Sequence, residues 1–189
     1  NQIVSASFII KMLDRHTAIW SFEKDSVPLH GVGDAGLLAQ PLTAFFASRR
    51  CPGTAIRAGT DWALAQAHAG RAVVSGFHSP LEQSVLTLLL QARCPVVAVI
   101  ARPLVNARLG EGFDSAWQAA LTEQRMAVVT SHTASQRLTE TLAVERNELA
   151  ALLATRIVIA HAEPGGTLDA AQARWQAAGS AVELLTTPA

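Results

Sequence analysis

The chain has 189 residues, half of them apolar and 16% charged, so it can bury one sizeable core and lacks the composition of a disordered protein. Its 15 basic and 15 acidic residues give a net charge of zero, which excludes the broadly basic surface of proteins that grip nucleic acid over a wide area. It contains no apolar run of about 18 residues and no signal-peptide pattern. Cys51 and Cys94 fit neither a zinc pattern nor a disulfide framework. These features predict a cytoplasmic protein that does not span a membrane.

Apolar runs rich in β-branched residues alternate with Ala- and Leu-rich segments of helical length, which is the pattern of βαβ units. Residues 1–41 are the least regular part and are predicted to form an irregular N-terminal segment. Strands are predicted at 42–47, 72–75, 96–100, 126–130, 156–160 and 182–185. Helices are predicted at 54–68, 80–92, 115–123, 139–154 and 168–178.

The strands are continuous apolar runs, which indicates a parallel sheet covered on both faces. The predicted fold is therefore α/β: a Rossmann-like, doubly wound, mainly parallel six-stranded sheet with helices on both faces. It occupies residues 42–189 as one nucleotide- or phosphate-binding domain.

The most specific local pattern lies between Val73 and Glu82, where a strand stops, turns on Gly76 and enters a helix. Ser79 suits the N-cap, Pro80 the first helical position, and Glu82 closes a capping box. Free amides and the positive end of the helix dipole meet at such a point, so an anion is expected there. The same residues equally fit a role limited to capping the helix.

Residues that follow parallel strands gather at one edge of the sheet, where α/β proteins bind ligands. The candidates for phosphate or nucleotide binding at this edge are Ser48, Arg49, Arg50, Gly76, His78, Ser79, Arg102, Gly165, Gly166 and Thr167. The two neighbouring arginines fit either phosphate contacts or solvated surface charges. The paired glycines fit either close approach of a ligand or a plain tight turn.

Other chemistry is less well supported by the sequence. His78, His132 and His161 stand singly after strands, which favours hydrogen-bonded structure over a metal site. Cys51 beside Arg50 fits an activated nucleophile less well than a buried thiol. No Walker or nucleophile-elbow motif occurs, and no cofactor is expected. The tryptophans are predicted packing anchors, with an exposed stacking surface as the alternative for Trp20.

Three groups of residues resemble a known family. They are the run from Val74 to Glu82, the pair Arg146-Asn147, and the strand 157–161 followed by Pro164-Gly165-Gly166-Thr167. With Ser48-Arg49-Arg50, their order and spacing resemble the Rossmann-like domain of the DNA-processing protein A family, also called Smf, over about residues 30–187.

The resemblance implies a non-enzymatic homodimer that binds single-stranded DNA in a basic pocket and assists the loading of a recombinase in DNA recombination. It makes Arg49, Arg50, Arg102 and Arg146 the phosphate-facing candidates. The family's alanine–arginine–glycine–isoleucine–aspartate run is replaced here by residues 77–82, which leaves a different ligand open.

A second resemblance, to the lonely-guy phosphoribohydrolases, implies an alternative function. Arg146-Asn147 and the turn at 164–169 match that signature in part. In this alternative Arg146 would orient the phosphate of a nucleoside monophosphate, and Glu163, or else Asp169, would supply the catalytic carboxylate. A nucleotide-sensing module is the third possibility.

Overall fold

An eight-stranded sheet organises the chain in the computed structural model, which describes residues 19–104, 115–133 and 140–185. The strands are β1 Trp20–Lys24, β2 Val27–Gly33, β3 Thr43–Ala47, β4 Val73–Ser75, β5 Val96–Val99, β6 Met126–Thr130, β7 Arg156–His161 and β8 Val182–Leu184. Their order across the sheet is β1-β2-β6-β5-β4-β3-β7-β8. The six strands from β6 to β8 in this sheet order are all parallel to their neighbours, whereas β2 is antiparallel to both β1 and β6. The prediction of an α/β fold with a mainly parallel sheet is confirmed.

Helices cover both faces of this sheet. They are α1 Gly53–Ala69, α2 Pro80–Gln91, α3 Ser115–Thr122, α4 Glu140–Leu153 and α5 Thr167–Ala177, with a 3-10 helix at Ala35–Ala39. Helices α1 to α3 share one apolar cluster with the sheet, and α4 and α5 share a second. On β3, Phe45 stacks on Trp62 of α1 with ring centroids 4.8 Å apart, and Phe46 stacks on Trp175 of α5 at 4.9 Å. Adjacent side chains of one strand thus anchor helices on opposite faces.

The predicted count of six strands is wrong, because β1 and β2 add a hairpin at one edge. Asp25 and Ser26 form its two-residue turn with φ of 48° and 65°, a left-handed pair that matches the twist of the strands. Trp20 lies flat on Gly31, and its indole N–H donates to the Gly33 carbonyl at 3.0 Å. Trp20 is therefore a packing residue.

The other elements end within one residue of their predicted bounds wherever the structure describes the chain. Residues 1–18 of the segment predicted to be irregular lie outside the described residues. No helix of the described ranges has the length and apolar character needed to cross a bilayer.

The sheet changes its direction of growth at β3. Strands β4, β5 and β6 follow β3 in chain order on one side, whereas β7 and β8 lie on its other side. The chain therefore leaves β3 toward α1 on one face of the sheet and leaves β7 toward α5 on the other, and a crevice opens beside these two loops. Such a switch point is where open α/β sheets bind their ligands.

Candidate functional site

A cleft of about 610 Å³ lies at this switch point, on the carboxyl edge of the sheet. Its walls are the loop after β3, the start of α2, one face of α4 and the turn before α5. Eight of the predicted residues line it: Ser48, Arg49, Arg50, His78, Ser79, Arg146, Gly166 and Thr167. Glu163, the candidate of the alternative function, lines it as well. The turns that follow β4 and β7 therefore meet across one opening.

Arg102 does not line the cleft. It follows β5, which stands two strands away from β3, and neighbouring strands are about 4.8 Å apart. The rule that residues following parallel strands gather at one edge of the sheet, the edge rule, therefore placed Arg102 on the correct edge. Along that edge, however, Arg102 is too far from β3 to reach the cleft. Gly76 and Gly165 do not line the cleft either. Gly76 borders the Arg146 side chain, and the Gly165 N–H donates to Asp169.

The carboxylate of Glu82 accepts hydrogen bonds from the backbone amides that the sequence analysis expected to bind an anion. Its Oε2 accepts the N–H groups of His78 at 2.8 Å and Ser79 at 3.1 Å, and its Oε1 accepts that of Ala47 at 3.0 Å. Ser79 Oγ accepts the Glu82 N–H at 3.3 Å, which completes the capping box. The expectation of free amides at the start of α2 is thus corrected, since the protein's own anion fills that position and Pro80 has no N–H.

The guanidinium of Arg146 lies against the backbone of Gly76. A Cβ on Gly76 would stand 2.3 Å from Arg146 Nε and 2.7 Å from its Cδ, so only glycine leaves the space. Arg146 is 9% exposed, and its Nε has no hydrogen-bond partner among the described residues. Burial lowers the pKa of Arg146, while the charge of Glu82 opposes that effect. Burial likewise raises the pKa of Glu82, against its three amide donors and Arg146.

Gly76→Ala is expected to lower the free energy of unfolding by about 1–3 kcal/mol, because the added methyl must push the buried Arg146 side chain away. Gly53→Ala is the matched control, since a Cβ there meets no atom within 4 Å. Urea unfolding of both variants measures the difference. Equal stability of Gly76→Ala and the parent would contradict the packing of Arg146 on Gly76.

Hydrogen bonds from Ser48 hold the two loops of the switch point together. Its N–H donates to the His161 carbonyl at 2.9 Å, and its Oγ accepts the Glu163 N–H at 2.8 Å. The next turn is closed by the Gly166 N–H, which donates to the Glu163 carbonyl at 2.9 Å. These bonds fix the position of Gly166 at the mouth of the cleft.

The start of α5 is the helix N-terminus that faces the cleft without a side-chain cap. Its N-cap is Gly166, which has no side chain to accept a hydrogen bond from the first turn. Asp169 accepts the N–H of Gly165 at 2.9 Å and so lies on the outer side of the turn, away from the cleft lining. The positive end of the α5 dipole therefore adds to the field of the arginines.

His78 and Cys51 differ in how they relate to these charges. Burial lowers the pKa of His78, and Arg146 and Arg49 lower it further, so the imidazole is neutral near pH 7. Burial raises the pKa of the Cys51 thiol, and Glu82 and Glu163 raise it further. Its Sγ–H donates to the Ser48 carbonyl at 3.2 Å. Cys51 is thus a protonated thiol, but it is half-buried and not the fully buried thiol that the sequence favoured.

The three histidines that follow strands do not form a cluster. His161 lies 3.9 Å from Glu163 and His132 lies 3.6 Å from Glu145, each with its own carboxylate. Across the described ranges, no three His, Cys, Asp or Glu side chains come close enough together to hold a metal ion.

Sequence reasoning missed the contact between Glu82 and Ala47. It also missed Ala143 of α4, and it named Asn147 only as part of the family resemblance, although both line the cleft beside Arg146. The helical spacing of Ala143, Arg146 and Asn147 at i, i+3 and i+4 was the available signal, because it places them on one face.

Comparison with known proteins relates both the sequence and the fold to one family. The family model described as DNA recombination-mediator protein A matches residues 17–184. The structure of DNA processing protein A from Helicobacter pylori, described for its unique mode of single-stranded DNA binding, superposes with a TM-score of 0.70 at 16% identity, over 92% of this chain and 83% of that one. The X-ray structure of DNA processing protein A from Streptococcus pneumoniae gives 0.69 at 17% identity, over 96% of this chain and 66% of that one. No curated protein sequence matches significantly.

These matches confirm the resemblance drawn from the residues. At such low identity the two structures establish the shared fold, and about a third of the Streptococcus pneumoniae chain lies outside the match. The family model covers most of the sequence, from before β1 to the last residue of β8. The chain therefore belongs to the DNA recombination-mediator protein A family.

Proposed function

We propose that the chain binds single-stranded DNA in DNA processing, with phosphates of the strand held in the cleft. The observation that carries the proposal is the meeting of Arg49, Arg50 and Arg146 with the uncapped start of α5 around one opening. Guanidinium groups and helix N-termini are the two common protein partners of phosphate.

The zero net charge of the chain is compatible with DNA binding if the positive charge is local. A chain of zero net charge needs a local cationic site to hold a polyanion, and the three arginines of the cleft outnumber its two glutamates, Glu82 and Glu163. The related structure from Helicobacter pylori, described for single-stranded DNA binding, supports a single strand as the ligand. The family resemblance extends the proposal to a cytoplasmic homodimer that delivers DNA to a recombinase.

The proposal is tested by fluorescence anisotropy of a labelled oligo-dT over a series of salt concentrations. Each phosphate contact contributes about −0.7 to the slope of log K against log salt for a single strand. Arg50→Ala and Arg49→Ala are each expected to weaken binding and to flatten the slope by about that amount. Arg71→Ala removes the same charge at the opposite, amino edge of the sheet, just before β4, and is expected to bind as the parent does.

Binding without salt dependence, or equal losses in all three variants, would overturn the proposal. The expected result is a selective loss in the cleft variants only.

Affinity for an oligonucleotide without terminal phosphate is expected to rise as the pH falls, by less than about tenfold per pH unit because His78 takes up one proton. Burial, and then the charges of Arg146 and Arg49, hold the pKa of His78 down in the free protein, and a bound phosphate diester cancels the field of the two arginines. The bound state therefore has the higher His78 pKa and is favoured by protons.

Anisotropy measured between about pH 7.5 and about pH 5.5, where the diester keeps its charge, checks this sign. In His78→Gln the dependence should be nearly flat. An unchanged slope in that variant would assign the effect to another group.

The hydrolase alternative has less support. Asp169 is bonded to the Gly165 amide, which leaves Glu163 as the one carboxylate of the predicted pair in the cleft lining. We infer binding without turnover. Incubation with nucleoside monophosphates, followed by chromatography for free base, tests this inference, and base released by the parent but not by Glu163→Gln would establish the hydrolase instead.

A further inference from the structure

A second pocket of about 490 Å³ adjoins the cleft across the loop after β3. Arg49, Arg50 and Pro80 line both. The two arginines and this proline thus form a ridge, with the phosphate cleft on one side and the second pocket on the other. A volume of this size falls in the range of about 300–1,000 Å³ that small-molecule sites occupy.

The two sides of the ridge differ in chemistry. The cleft contains the carboxylates of Glu82 and Glu163, whereas the lining of the second pocket has no acidic residue. Its floor is formed by Ile56, Leu81 and Cys51. Ile56 is 47% exposed, one of four large apolar side chains that reach the surface in the described ranges. An apolar floor disfavours a phosphate and favours a flat, weakly polar ring.

Polar groups at the rim suit the edge of such a ring. The hydroxyl of Ser84 donates to the Pro80 carbonyl at 3.0 Å, so its oxygen remains able to accept a hydrogen bond. The guanidinium planes of Arg49 and Arg50 can stack on a base, as arginines do in single-strand recognition.

We propose that this pocket takes a nucleobase of the strand whose phosphates lie in the cleft, so that one nucleotide straddles the ridge formed by Arg49, Arg50 and Pro80. The inference rests on the proposed function, because the cleft must hold the phosphates. Continuity through the shared arginines supports a base of the same strand as the occupant, since sugar and phosphate connect the two positions covalently.

The test compares oligo-dT with an oligonucleotide of the same length and charge in which abasic sites replace the thymidines. The parent is expected to bind oligo-dT about tenfold more tightly, which lies within the effect of one stacked base. Ile56→Ala should remove most of that preference while leaving the affinity for the abasic strand unchanged. Leu64→Ala is the control, because Leu64 is 50% exposed on the same helix and does not line the pocket.

Equal affinity of the parent for both strands would overturn the base pocket and leave phosphate binding intact. A loss of equal size for both strands in Ile56→Ala would overturn it as well. Failure of the parent to bind either strand would overturn the proposed function itself.

Discussion

Glu82→Ala is expected to lower the free energy of unfolding by roughly 3–6 kcal/mol, because each buried donor left without an acceptor costs about 1–3 kcal/mol. The three donors are the amides of Ala47, His78 and Ser79. The adjoining cleft lets water reach part of the vacated space, which keeps the loss below the upper limit of that sum. The change also removes the charge of Glu82, which opposes the effect of burial on Arg146.

Urea unfolding measures this effect. Thr87→Ala on the same helix is the control, since its exposed hydroxyl bonds only to the Gln83 carbonyl, and it should change the stability by less than about 0.5 kcal/mol. If Glu82→Ala unfolds at the same urea concentration as the parent, the Glu82 contacts do not hold the end of β3 to the start of α2.

Arg146→Lys is expected to weaken binding of single-stranded DNA by about 10- to 100-fold although the charge is kept, because hydrogen bonds to charged groups contribute about 1.5–3 kcal/mol and the planar fork is lost. The guanidinium lies against Gly76, and its Nε has no partner within the described part of the chain, so a flexible ammonium cannot reproduce its position.

Arg174→Lys makes the same exchange in the last turn of α5, where the side chain pairs with Glu148, and should bind as the parent does. Anisotropy gives the affinities, and urea unfolding shows whether each variant is folded. Parent-like binding by Arg146→Lys would show that charge alone suffices at this position.

Much of the fold could be predicted from the sequence because local signals agreed with tertiary packing. The buried positions of β3 to β7 are mostly apolar, and Ser79, Pro80 and Glu82 fix the start of α2. The β1–β2 hairpin was missed for an equally local reason. Its Asp25-Ser26 turn lacks the usual glycine, and Pro28 argues against a strand.

The site was predictable only as far as the edge rule reaches. That rule brings the residues after β3, β4 and β7 together, but it does not rank strands by their distance from the switch point, so Arg102 was included. It also cannot foresee that Glu82 reaches the amide of Ala47, 35 positions earlier. Nor does it indicate that Gly76 gives room to Arg146 rather than to a ligand.

The bond between Ser48 and Glu163 joins positions 115 apart in the sequence, and β3 gains its second neighbour only from β7. A nascent chain that leaves the ribosome therefore carries β3 with one open edge until β7 has been synthesised. Closing so long a loop is slow and costs entropy. The walls of the cleft should consequently assemble only after β7 and the turn before α5 have been synthesised.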